Sequence, residues 1–129
     1  MLEELEADPK PQGDSVLQLI ARPRDTNAFG DIYAGWLVDQ MDQAAEVVAT
    51  TVAKGRCATV SIDSLDFMSP IPVGAKIEIF AGQPTLGRSS ITVPIEAWIT
   101  VPGEGELIKV TAGDWVMVAI TKAGHIRAL

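Results

Sequence analysis

The sequence predicts an α+β fold in which an antiparallel five-stranded sheet wraps around one long central helix. Three observations carry that expectation. A single long helical pattern spans residues 34–54, where Leu37, Val38, Met41, Ala44, Ala45, Val48, Ala49 and Val52 share one arc at ~100° per residue. From Arg56 onward the apolar period becomes two, in runs separated by proline and glycine. The connections between those runs are short, which calls for antiparallel neighbours. A sheet with one apolar face then needs a cover, and this helix is the one available.

Taken in order, residues 1–14 read as an acidic flexible lead-in and residues 15–129 as one domain. Residues 15–22 form a first strand ended by Pro23, which lacks a ladder donor. In the turn that follows, Asp25, Thr26 and Asn27 have side chains suited to bonding nearby backbone amides, and Gly30 accepts a positive φ. The helix comes next and stops at Lys54-Gly55. In residues 56–68, Ala58, Val60 and Ile62 share a face before Leu65 and Phe67 continue on the other parity, so a bulge is expected near Asp63-Ser64. Residues 75–82 put Ala75, Ile77, Ile79 and Ala81 on one face. Residues 88–101 do the same with Ile91, Val93, Ile95, Ala97, Ile99 and Val101, and Pro94 within them suggests an edge or a bulge. The last run, 107–121, places Ile108, Val110, Ala112, Val116, Val118 and Ile120 on one parity.

Composition narrows the function. A net charge of −7 argues against a nucleic-acid partner, which needs clustered Lys and Arg. No apolar run approaches membrane-spanning length, and the acidic, polar first residues do not resemble a signal peptide. A cytoplasmic location is the expectation. The single cysteine, Cys57, leaves no partner for an internal disulfide and reads as a small strand hydrophobe. One histidine, one cysteine and no ligand spacing predict no metal site.

On the helix, Asp42 falls just past the rim of the apolar arc, beside Val38 and Ala45. A carboxylate there is partly withdrawn from water, which suits a base or a nucleophile. Amphipathic helices also carry rim carboxylates that are simply solvated, and periodicity alone leaves both readings open.

The run Asp25-Thr26-Asn27, Gly30-Asp31-Ile32, Gly35-Trp36-Leu37 and Gln40-Met41-Asp42 resembles the YciA-type acyl-CoA thioesterases of the hotdog fold. Gly55-Arg56, Val60, Phe67 to Pro70, Val73-Gly74, Gly87-Arg88-Ser89-Ser90 and Glu96-Ala97-Trp98 extend the resemblance over residues 13–128. The sequence departs from that pattern at Phe29, where the family often has a second Asn, and at Ala34, where it usually has a glycine. The resemblance implies hydrolysis of acyl-coenzyme A, with no cofactor beyond the coenzyme A of the substrate and with Asp42 as the acting carboxylate. It also implies an assembly of dimers, a hexamer, and places Asp31 beside the thioester. A partner for the helix's N-terminal dipole, or a helix cap, is the competing role for Asp31. Asn27 either orients water or holds its turn.

Hydrolysis needs donors for the developing oxyanion, and the amides at the helix start near Gly35 supply them. Gly35 and Asp42 lie ~10 Å apart along the axis at ~1.5 Å per residue. One thioester carbon therefore meets both groups only when a two-fold mate brings its own Asp42 to the helix start. A homodimer with shared sites follows as an expectation. For the coenzyme A phosphates, Arg88, Ser89, Ser90 and Arg56 are the candidate partners, with Lys54 behind them. Val38, Met41, Phe67 and Met68 are candidates for the acyl pocket, or plain core. Dehydration, a second chemistry of this fold, needs a catalytic histidine, and His125 in the tail has no suitable partner. The remaining alternative is a non-catalytic acyl-CoA sensor, which has no need of Asp42.

Overall fold

The computed structural model describes residues 10–129. The elements run β1 (Asp14–Ile20), a 3-10 turn at Pro23–Asp25, α1 (Ala34–Ala53), β2 (Cys57–Phe67), β3 (Lys76–Ala81), β4 (Thr85–Leu86), β5 (Ser90–Thr100) and β6 (Leu107–Ala119). The lead-in expected at residues 1–14 lies, up to residue 9, outside the described residues. At its end the Gln12 amide donates to Glu96 Oε1 at 3.1 Å.

The strands form one antiparallel sheet in the order β1-β3-β5-β6-β2, and the two-residue β4 adds a short sixth strand beside β5. Helix α1 touches all five long strands, so the sheet curls around it as expected. The helix stripe explains the close fit. Leu37 and Met41 fill the space at one end, while Ala44, Ala45, Ala49 and Ala53 let the sheet approach the helix backbone. Ile77, Ile79, Ile91, Val93, Ile95 and Ile99 are fully buried from the sheet side, each such aliphatic side chain contributing ~1.5–3 kcal/mol by leaving water.

Several local expectations are corrected. Strands β2 and β3 are consecutive but not neighbours, because β2 pairs with β6 at one edge while β3 pairs with β1 and β5. Residues 68–75 make the crossing past the helix start, where Ile32 N donates to Ile71 O at 2.9 Å. Three strand spacings of ~4.8 Å are well within reach of that segment. Pro94 lies at neither an edge nor a bulge. It occupies the gap where β3 ends and β4 begins along β5, and its carbonyl accepts from Gly82 N at 2.9 Å.

The face of β6 also differs. Val110 has no counterpart in β5, since Lys109 pairs with Trp98 and Thr111 with Ala97. That extra residue reverses the phase, so Trp115, Met117 and Ala119 face the core in place of Val116 and Val118. Strand β2 carries the expected irregularity between Asp63 and Asp66, with Ser64 at φ 60, and a second one between Thr59 and Ser61. Cys57 therefore packs on the core, as do Ile62 and Leu65, while Val60 stays exposed. At the helix end Lys54 rather than Gly55 takes the left-handed conformation (φ 54, ψ 42).

Candidate active site

The site is built where α1 faces the β2–β6 pair. Asp42 follows the buried Met41 by one residue and precedes the buried Ala45 by three, so its side chain leaves the helix at the margin of the core. Two donors meet it there. Thr59 Oγ1 on β2 donates to Asp42 Oδ1 at 2.7 Å, and Trp115 Nε1 on β6 donates to the same oxygen at 3.0 Å. Thr59 pairs with Met117, two residues beyond Trp115, which places the two donors diagonally across neighbouring strands. Asp42 Oδ2 accepts no hydrogen bond among the described residues. An anchored carboxylate with one open oxygen is suited to take a proton from water or to attack a carbonyl carbon.

The turn before the helix forms as its residues dictate. Asn27 Oδ1 accepts from Phe29 N at 2.8 Å and from Asp31 N at 3.2 Å, and Gly30 sits at φ 81. Asn27 thus holds the turn through its side-chain oxygen. Phe29 projects from the tip, 89% exposed. The capping role weighed for Asp31 is corrected: Tyr33 occupies the N-cap, and no side-chain cap bond is made there among the described residues. The amides of Ala34 and Gly35 have no acceptor among the described residues, and space is open beside Gly35. Ala34 opens the helix without a positive φ, so the missing glycine costs no strain. Beside this helix start is a cleft of about 240 Å³ lined by Ile32, Ala34, Leu37, Phe67, Pro70 and Ile71, among others.

The four acyl-pocket candidates do not gather in one place. Phe67 lines the cleft, Met41 is fully buried, Val38 packs against the core, and Met68 is exposed. The chain segments that carry the coenzyme A candidates meet at the C-terminal tail. Arg56 Nη1 donates to Lys122 O at 3.0 Å, Leu129 N donates to Arg88 O at 2.9 Å, and Ala119 N donates to Ser89 O at 2.9 Å. Ser90 accepts Gly87 N through its carbonyl at 2.8 Å, closing the turn that carries Arg88. Arg127 joins them, its Nη2 donating to Ala53 O at 2.7 Å, where a cation favours the negative end of the helix. Neither Arg56, Arg88 nor Arg127 forms an ion pair among the described residues.

Cys57 behaves as the sequence suggested. Burial pushes its thiol up from 9.0, with Glu46 adding to the shift and the nearby Arg127 opposing it. Glu46 is exposed, and Asp63 sits at the β2 irregularity opposite Asp114. No helix among the described residues is long and apolar enough to cross a membrane, and no group of His, Cys, Asp or Glu among them forms a metal cluster.

Sequence reasoning missed Thr59, Trp115 and Arg127. The signal for Trp115 was Gly113, a glycine inside a strand, which marks a close approach.

Helix, curled sheet and rim carboxylate together define a hotdog-fold protein. The model of the thioesterase superfamily matches residues 29–106. The chain is 39% identical over 122 residues to the acyl-CoA thioester hydrolase YciA of Escherichia coli K12, covering 92% of each protein. A hexameric thioesterase of Yersinia pestis superposes with a TM-score of 0.87 at 39% identity, covering 93% of this chain and 98% of that one. A hexameric hotdog-fold thioesterase of Campylobacter jejuni gives 0.84 at 30% identity, with coverages of 91% and 90%. The chain belongs to the thioesterase superfamily.

Proposed function

We propose that this protein is an acyl-CoA thioester hydrolase, releasing a free acid and coenzyme A, with Asp42 as the base or nucleophile. The observation that carries the reading is the Asp42 carboxylate, held by Thr59 and Trp115 at one oxygen and open at the other. In the base form, Oδ2 takes a proton from water as the water oxygen bonds to the thioester carbon. In the nucleophile form, Oδ2 itself bonds to that carbon, and water later splits the mixed anhydride. Either way the carbon–sulfur bond breaks, the thiolate leaves, and a proton restores the thiol. The free amides at Gly35 stabilise the oxyanion that forms between these events, an effect typically worth several kcal/mol in the transition state.

The active unit is a dimer with two shared sites, arranged as a trimer of dimers. Strand β2 supports this, because it lies at the sheet edge and leaves Val60, Phe67 and the adjoining Met68 exposed. An edge of that length and character calls for a partner strand. The hexameric state of the Yersinia and Campylobacter relatives supports the same assembly. Asp31 and Asn27 stand beside the helix start, where Asn27 keeps the turn in place. The coenzyme A phosphates are met by Arg56, Arg88, Ser89 and Ser90. The acyl chain enters the cleft at Phe67, beside which Met68 is exposed. The reaction needs no cofactor, and the proposed location is the cytoplasm.

Thiol release from a panel of acyl-CoAs of different chain length tests the reading. Wild type is expected to release coenzyme A, and Asp42→Ala to release almost none. A wild type that binds acyl-CoA yet releases no thiol would make the chain a sensor instead.

A further inference from the structure

We propose that Trp115 is a positioning residue for Asp42, seated by the absence of a side chain at Gly113. The inference rests on Asp42 being the acting carboxylate. Trp115 is fully buried, so its ring direction is set by packing rather than by water. Its Nε1–H spends its hydrogen bond on Asp42 Oδ1 at 3.0 Å. Thr59 alone, bonding that oxygen at 2.7 Å, leaves the carboxylate free to turn about it. A second donor from a different strand removes that freedom and fixes the direction in which Oδ2 points. Both bonds are charge-assisted when Asp42 is ionised, which strengthens the hold.

Gly113 shows what this arrangement requires. A Cβ there would lie 3.2 Å from Trp115 Cζ3, 3.2 Å from Leu65 Cδ1 and 3.3 Å from Asp63 O. Glycine inside a strand weakens it, through entropy and a lost packing contact. The chain accepts that weakness at a position where a Cβ would crowd the indole that reaches Asp42, so that the ring or Leu65 would have to give by a few tenths of an ångström. Trp98, the other fully buried tryptophan, satisfies its Nε1–H on Glu96 Oε1 at 2.9 Å, two residues away on its own strand. Trp115 instead reaches a carboxylate 73 residues distant in sequence, on the helix.

The test uses Trp115→Phe, which keeps a buried aromatic ring but loses the donor together with part of the indole's volume, so the activity change is read beside a resonance that a packing loss alone would not move. Because the indole does not touch substrate, kcat for thiol release falls about tenfold while KM stays within about twofold, the size expected for one hydrogen bond to a charged oxygen. Gly113→Ala, which crowds the ring without removing it, lowers kcat in the same direction. A readout independent of activity comes from the indole N–H resonances of the three tryptophans. Asp42→Asn moves the Trp115 resonance upfield, as its acceptor loses charge, and leaves that of Trp98 in place. A Trp115 resonance indifferent to Asp42→Asn, or full kcat in Trp115→Phe, overturns the proposal. A wild type that releases no thiol overturns the hydrolase reading instead, and the resonance still decides whether the indole is coupled to Asp42.

Discussion

Replacing Asp42 by Asn and by Ala separates its chemical role from its structural one. Asn keeps an Oδ1 able to accept from both Thr59 and Trp115, so the buried indole N–H stays satisfied. It removes the charge and with it the base or nucleophile. The expected loss is about a hundredfold or more in kcat, the range for a positioned acid or base. Ala removes the acceptor as well. Trp115, with no exposed surface, is then left with an unpaired N–H at a cost of about 1–3 kcal/mol. For a domain of this size that is a fall of roughly 4–12 °C in the melting midpoint. Thiol release and thermal melts followed by circular dichroism, at one protein concentration to hold assembly fixed, measure the two effects. Both variants should be inactive, and only Ala should melt early. Asn retaining more than a tenth of wild-type kcat, or Ala melting with Asn, would refute the reasoning.

Three further outcomes follow. Arg56→Ala and Arg88→Ala should raise KM for acyl-CoA about tenfold with little change in kcat, and added salt should shrink the difference, as seen by initial rates at two ionic strengths. Val60→Lys places a charge on the exposed part of the β2 edge, so light scattering should show a smaller assembly with reduced thiol release and an unchanged circular dichroism spectrum. Burial makes the folded Cys57 thiol ionise at higher pH than an unperturbed thiol of 9.0, so alkylation at pH 8 should be slower in the folded chain than in denaturant. The sign also bears on stability. The folded state holds that proton more tightly, so this contribution is present below pH 9.0 and fades as pH rises through the folded value.

The parts of the fold legible in the sequence are those governed by an unbroken period. The α1 stripe from Leu37 to Val52 and the inward face of β5 from Ile91 to Ile99 have one residue spacing throughout, and their burial follows it. Strand β6 was misread because Val110 is an extra residue in the ladder, and a one-residue slip exchanges the faces. The place of β2 beside β6 was hidden because the short link to β3 suggested neighbours, whereas the chain crosses at the helix start instead. In the site, Asp42 was legible from its place on the helix, and Asn27 from turn chemistry. Its donors were not, since Thr59 and Trp115 are brought to it only by the pairing of two distant strands. Arg127 escaped notice for the same reason, as the tail returns to the helix end only in the folded chain.

The proposed activity depends on a site completed by two protomers, and mixing subunits tests that dependence most directly. One subunit carries Asp42→Asn; the other carries Gly35→Leu, a change that meets no neighbouring atoms at Cβ among the described residues of its own chain. Each homodimer alone should be nearly inactive. Co-expressed in equal amounts and purified through two tags, the mixed dimer should have one intact site, with about half the wild-type kcat per dimer. A mixed dimer no more active than either parent would contradict the shared site.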